Sequence, residues 1–230
     1  MLQMKYTWAL LSLTALIIAM TVGQEQPNQE VIDYEVLRQE GRRVWEELQK
    51  KWGWEKIRAN LEVFSHRPLS PDEQAYIQKA LAFAKNPKND WIERGNIVRA
   101  LGIMGHVSMI EGLKEIAWQA PLSYKEPQSG VSVWAVISLS FIADKQVIGL
   151  LIELVGHPNG LVRLETLTRL YRLVGREMPE KYQRSRGFNV LTLDDEEQRR
   201  KVVTDLKTWW QKEKEKIKVK WETWEEFSFR

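Results

Sequence analysis

The chain reads as an all-α protein of short helices arranged in antiparallel pairs, and three observations predict this. Cap residues followed a turn later by glutamate open amphipathic runs at Ser70…Glu73, Asp90…Glu93, Ser108…Glu111 and Asp194…Glu197. In each, the first side chain accepts from an orphan backbone N–H while the glutamate reaches back to the cap. Apolar residues recur with helical rather than alternating spacing, as in Leu164, Leu167, Leu170, Tyr171 and Val174. Finally, VRALGIMGHVSMIEGL (98–113) is interrupted by Gly102 and Gly105 and then resumes. Each glycine inside a helix costs about 0.5–1 kcal/mol relative to alanine, so the pair needs a reason.

Taken in order, MLQMKYTWALLSLTALIIAMTVG places Lys5 before an apolar stretch from Trp8 to Val22. That stretch is about 15 residues, short of the ~20 a bilayer-spanning helix needs. Thr21 and Gly23 occupy the small-residue places of a cleavage point before Gln24. Residues 1–23 therefore read as a secretory signal and 24–29 as a polar linker, with an uncleaved N-terminal anchor as the alternative. The expected location is exported, periplasmic or secreted. With no cysteine, such a domain has neither a disulfide nor a lipidated cysteine and stands on its packed core.

The periodicity then predicts helices over 30–52, 54–64, 71–85, 91–104, 108–118, 131–143, 145–155, 160–175 and 195–216. Residues 30–89 cap an array that occupies 90–215, and 216–230 form a tail. Pro71 strengthens the start of the third helix, because its missing N–H would have been unpaired anyway. Gly105 ends 91–104 with a left-handed turn. Ser108 caps the return helix, and Gly102 lets the two backbones of the pair approach. The same shape recurs in VWAVISLSFIADKQVIGLLIEL (133–154), where Leu139 matches Leu101 and Leu151 matches Leu113. A third unit starts at 160, and its partner helix follows an insertion over 177–193. Matched leucines lie about 38 and then about 31 residues apart, within the range of helical repeats. Trp209 and Trp210 share the stripe of Val202 and Leu206, so they read as core of the closing helix. KIKVKW (216–221) alternates like a strand, yet Ile217, Trp221 and Trp224 also continue the helical stripe, and both readings stay open.

The segments IVRALGIMGHVSMIEGL, WAVISLSFIADKQVIGLLIEL and LVRLETLTRLYRLVG resemble the HEAT-repeat family, particularly the short HEAT-like repeats of bacterial proteins. The likeness covers roughly 90–175; the second repeat departs from the first, with Ser140 and Ala143-Asp144 where the first has glycines. DDEEQRRKVVTDLKTWWQKEK is similar to the terminal segment of some exported bacterial HEAT-repeat proteins. The resemblance implies a curved α-solenoid of stacked antiparallel helix pairs that binds other macromolecules, with almost no further functional specificity.

Charge and motifs narrow the function. Thirty-four Lys+Arg against 31 Asp+Glu leave +3, without the basic excess of a nucleic-acid binder. His66, His106 and His157 are scattered, with no HExxH or paired-histidine spacing. His106 and His157 stand at inter-helix breaks and read as caps of helix C-termini. No phosphate-binding glycine loop and no nucleophile elbow is present. The run Asp194-Asp195-Glu196-Glu197 complements the positive end of a helix and lacks the alternating oxygens of a calcium loop. No catalytic residue, metal or cofactor is therefore expected. The expected role is a non-catalytic scaffold or protein-binding module of the cell envelope, its partner another protein. An enzyme or lyase on a HEAT-like scaffold is the distant alternative, since some bilin lyases carry such repeats.

Candidate binding residues are those that break amphipathic order. Trp118 falls opposite the apolar face of Met109, Ile110, Leu113, Ile116 and Ala117, on the side that carries Glu111, Lys114 and Glu115. Tryptophan is enriched among interface hot spots, and on a second HEAT helix it would face the concave surface. The competing expectation is that the loop 119–130 folds over it. Arg169, Arg172 and Arg176 form a stripe opposite the core face of 160–175, suited to bidentate carboxylates or phosphates or, more simply, solvated. In the tail, lysines interleave with Trp221, Trp224, Phe227 and Phe229. That pattern suits either packing back onto the array or a peripheral membrane contact, which Glu222, Glu225 and Glu226 oppose.

Overall fold

Asp33 opens the first helix by accepting from the Glu35 N–H at 2.7 Å, and α1 runs Tyr34–Trp52 with Leu37, Val44 and Leu48 buried. The computed structural model describes residues 32–123, 125–183 and 187–223. The signal 1–23, the linker 24–29 and the tail end 224–230 with Trp224, Glu225, Glu226, Phe227 and Phe229 lie outside the described residues. From Asp33 on, the described residues cluster as one compact unit. The described residues contain helices and no strand.

The predicted helix over 54–64 is divided into α2 (Trp54–Ala59) and α3 (Leu61–Ser65), because Asn60, a poor helix former, leaves helical geometry at φ −138°. α4 (Pro71–Lys85) begins with a complete capping box, the Glu73 N–H donating to Ser70 Oγ and the Ser70 N–H donating to Glu73. Asp90 caps α5 (Trp91–Met104), which stops at Gly105 in the left-handed region, φ 53°. A 3₁₀ turn, Val107–Met109, then leads into α6 (Ile110–Trp118). α7 (Ser129–Ser140), α8 (Lys145–Leu154) capped by Asp144, α9 (Gly160–Val174) capped by Asn159, and α10 (Glu196–Glu213) complete the set.

Two predicted caps move. Ser108 does not cap α6; the neighbouring His106 Nδ1 accepts from the Ser108 N–H, and its Nε2 donates to the Arg67 carbonyl. Asp195 rather than Asp194 caps α10, accepting from the Gln198 N–H. His106 and His157 also differ from expectation, because each ring accepts an N–H on the entry side of the following helix instead of closing the preceding one.

Packing runs between successive pairs. α7 lies against both α5 and α6, and α9 lies against both α7 and α8. α1 and α4 pack on α5, α4 also on α6, and α10 on α8. The two helices of one pair approach each other far less. Gly102 illustrates the rule, since a Cβ there would come within 2.5 Å of Ser138 Oγ and 2.9 Å of Ser138 Cα. The close approach it permits is to α7 of the next pair, not to α6, and Ser138 Oγ uses it to donate to the Val98 carbonyl at 2.9 Å. Leu101, Leu139 and Leu170 all lie in the fully buried seam.

Candidate functional site

α6 divides sharply. Ile110, Leu113, Ile116 and Ala117 are buried, while Glu111, Glu115 and Trp118 are exposed and Lys114 is half-buried. The charges on this outer side neutralise one another, Lys114 pairing with Glu111 at 3.6 Å and Lys85 with Glu115 at 2.6 Å. Trp118 is left 42% exposed, and its ring meets the His157 ring at a tilt of 39° and a centroid distance of 4.8 Å. The loop after it does not fold over the indole; Leu122 projects 77% exposed.

The turn His157-Pro158-Asn159 fixes this arrangement. His157 is buried, and its Nδ1 accepts from the Asn159 N–H at 2.9 Å. Burial lowers its pKa to about 4, so the ring is neutral. The Trp118 backbone favours the charged ring but lies outside hydrogen-bonding geometry, which leaves Nε2 buried and unpartnered. Asn159 caps α9 through Oδ1, and through Nδ2 it donates to the Pro121 carbonyl at 2.7 Å and to Ser129 Oγ at 3.0 Å. One asparagine therefore ties the loop after α6 and the start of α7 to the start of α9. Gln119 holds the same loop from the other side, donating to the Lys85 carbonyl and accepting from Arg94. A large, partly exposed aromatic on a face whose charges are compensated has the physical make-up of an interface anchor.

The arginine stripe of α9 has a different fate. Arg169 is buried, its guanidinium paired with Glu165 and, at 2.9 Å, with Glu222. Arg172 reaches the same Glu222 at 3.4 Å, and Arg176 is exposed. Thus Arg169 is not on a solvated face, because the chain's own tail returns to cover it. Residues 217–223 are neither helix nor strand. They are tied to the array by the Lys220 N–H donating to the Leu173 carbonyl, Trp221 Nε1 donating to Glu62 at 2.9 Å, and the burial of Ile217 and Thr223. Of the closing-helix tryptophans, Trp210 is buried and Trp209 half-buried.

Sequence reasoning missed a set of buried cations. Arg94 donates to the Ala84 carbonyl, and Arg163 donates to the carbonyls of His157, Pro158 and Val190. The corresponding place in α7 holds Ser132, whose Oγ donates to the Ile116 carbonyl at 2.8 Å. Each lies about two turns ahead of the matched leucines Leu101, Leu139 and Leu170, and each binds a carbonyl at or just past the end of the preceding helix. Arg67 joins Glu73 to the Phe64 and Met104 carbonyls. Among the described residues no three His, Asp or Glu side chains converge as metal ligands, and no helix is long and apolar enough to cross a membrane. Comparison with known proteins finds no matching family model, no similar curated protein and no matching solved structure.

Proposed function

We propose that the helix pairs form a HEAT-like α-solenoid and that the protein is an exported, non-catalytic module that binds another protein along its α6 edge. Support for the repeat comes from the contacts between successive pairs and from the recurring donor position of Arg94, Ser132 and Arg163. In a stacked array each pair buries its apolar side only against its neighbours, which leaves one continuous edge for a partner.

The observation that carries the binding role is Trp118, 42% exposed with its ring in contact with the buried His157 ring. An aromatic anchor fixed before binding loses little conformational freedom on docking. Glu111, Lys114 and Glu115 supply the polar rim around it. The test is site-specific photocrosslinking in the native cell from a benzophenone residue placed at the exposed Leu122, four residues after Trp118. A discrete protein adduct that disappears on Trp118→Ala is expected. Absence of any adduct, or one indifferent to Trp118, would remove this reading.

A further inference from the structure

The segment 217–223 lies on the array in the manner of a docked peptide. Its burial alternates: Ile217 and Thr223 are buried and Val219 and Trp221 half-buried, while Lys218 and Lys220 between them are exposed. Such alternation belongs to an extended chain with one side on a surface, and the described residues offer it no strand to pair with. The Lys220 N–H ties its main chain to the Leu173 carbonyl at 2.8 Å. Side chains supply the selective ties. Trp221 Nε1 donates to Glu62 at 2.9 Å, and Glu222 meets Arg169 at 2.9 Å and Arg172 at 3.4 Å.

These partners belong to distant parts of the chain, Arg169, Arg172 and Leu173 to the last turns of α9 and Glu62 to α3. Trp54, Ile57, Phe64, Ile103 and Phe141 form an apolar floor beside Glu222 and Thr223. A cavity of about 20 Å³ is walled by this floor and by the same two tail residues. The indole N–H of Trp54, part of that wall, is buried without a hydrogen-bond partner. The tail thus meets the cations of the groove and leaves its floor incompletely filled.

We propose that this groove is a docking site for an extended segment of another protein, one in which an aromatic N–H donor is followed directly by a carboxylate, and that residues 217–223 are its intramolecular occupant. Glu62 selects the aromatic donor, and the guanidinium groups of Arg169 and Arg172 select the carboxylate. The floor takes the next residue, where Thr223 now sits. A tethered segment faces its groove at an effective concentration of millimolar order, so the tail excludes weak ligands and yields to one that fits better. A second copy gains nothing by exchange, since each chain already carries the same segment on a tether. This groove is separate from the α6 edge and does not depend on it.

The full chain carrying Trp221→Ala and Glu222→Ala keeps the groove and loosens its occupant. Fluorescein-labelled IKVKWET (217–223) should bind this variant with a dissociation constant below about 0.1 mM by fluorescence anisotropy, and the native chain about tenfold more weakly. The peptide with both residues replaced by alanine should bind at least about tenfold more weakly, and Glu62→Ala added to the variant should weaken IKVKWET about fivefold. Hydrogen exchange on the native chain decides independently, should the double variant not fold: the amides of 217–223 should open while those of α9 stay protected. Exchange of the tail only with global unfolding, no binding of the peptide to a folded variant, or binding indifferent to its Trp and Glu overturns the proposal. Dimerisation of the native chain through exchanged tails, seen by gel filtration, would overturn it too by making a second copy the occupant.

Discussion

The outer faces of α6 and α9 begin alike, as polar stripes opposite a buried apolar side, and end differently. On α6 the charges are matched nearby, Glu111 with Lys114 and Glu115 with Lys85, so nothing draws a distant acid onto the face. The indole of Trp118 stays in water. On α9 the one local acid, Glu165, leaves the cations of Arg169 and Arg172 in excess, and Glu222 returns from the tail to meet both. On these two faces the outcome follows local charge balance: the unbalanced one is covered by the chain's own tail, and the balanced one stays exposed.

The comparison can be broken most forcefully at Arg169. Arg169→Ala removes a buried cation and leaves Glu222, whose side chain is only 12% exposed, with the longer pair to Arg172. Breaking a buried pair costs about 3–5 kcal/mol, and the partial exposure of both acids places the loss at about 3 kcal/mol. Urea unfolding should report this loss, and limited proteolysis should show the tail released. A tail still protected in the variant would mean that Glu222 is not what holds it.

Acid should act on the α6 side instead. His157 takes up a proton in the unfolded chain near its ordinary 6.5, but in the folded chain only near about 4. A base whose pKa falls on folding contributes stability that is complete above 6.5, declines as the pH drops through this window, and changes no further below about 4. The loss is on the order of 2–3 kcal/mol by pH 4.5. Burial lowers His106 as well, in the same direction. His157→Asn, which keeps an acceptor for the Asn159 N–H, should flatten the fall in urea midpoint between pH 7 and pH 4.5. An equally steep fall would show that other groups carry it.

Trp118→Ala sharpens the contrast, because its effects on stability and on binding should separate. Loss of the ring contact with His157 and of partly buried area should cost about 1 kcal/mol in urea unfolding. A loss of several kcal/mol would mean that the indole belongs to the core and is not a face kept open.

Much of the helical order was legible because its causes are local. Ser70 and Asp90 were readable as caps since each acts on the N–H groups of its own next turn, and Gly105 since a left-handed ending needs only itself. Ser108 misled because an imidazole two residues earlier can serve the same turn, and Asp194 because several adjacent acids are interchangeable at a helix start. Gly102 signalled a close approach correctly, but its partner is Ser138, which nothing near Gly102 in sequence reveals. The tail was ambiguous for a stronger reason: its path follows the Leu173 carbonyl, Arg169 and Glu62, all remote in sequence. Arg94 and Arg163 were invisible as buried groups because they bind backbone carbonyls, which every residue carries. Only their shared place after a helix cap distinguishes them.

Arg172→Ala makes the smallest and most discriminating change. Its guanidinium meets Glu222 at 3.4 Å, but its side chain remains 30% exposed, so the charge is already partly hydrated. Partly exposed pairs contribute about 0.5 kcal/mol, and salt screens them. If Arg169 holds the tail and Arg172 only adds to the attraction, Arg172→Ala should lower the urea midpoint slightly, with a deficit that shrinks at high salt and leaves the tail protected from protease. A loss as large as that of Arg169→Ala would mean that the two cations act as one unit on Glu222. The covering of α9 would then rest on summed charge and not on one buried pair.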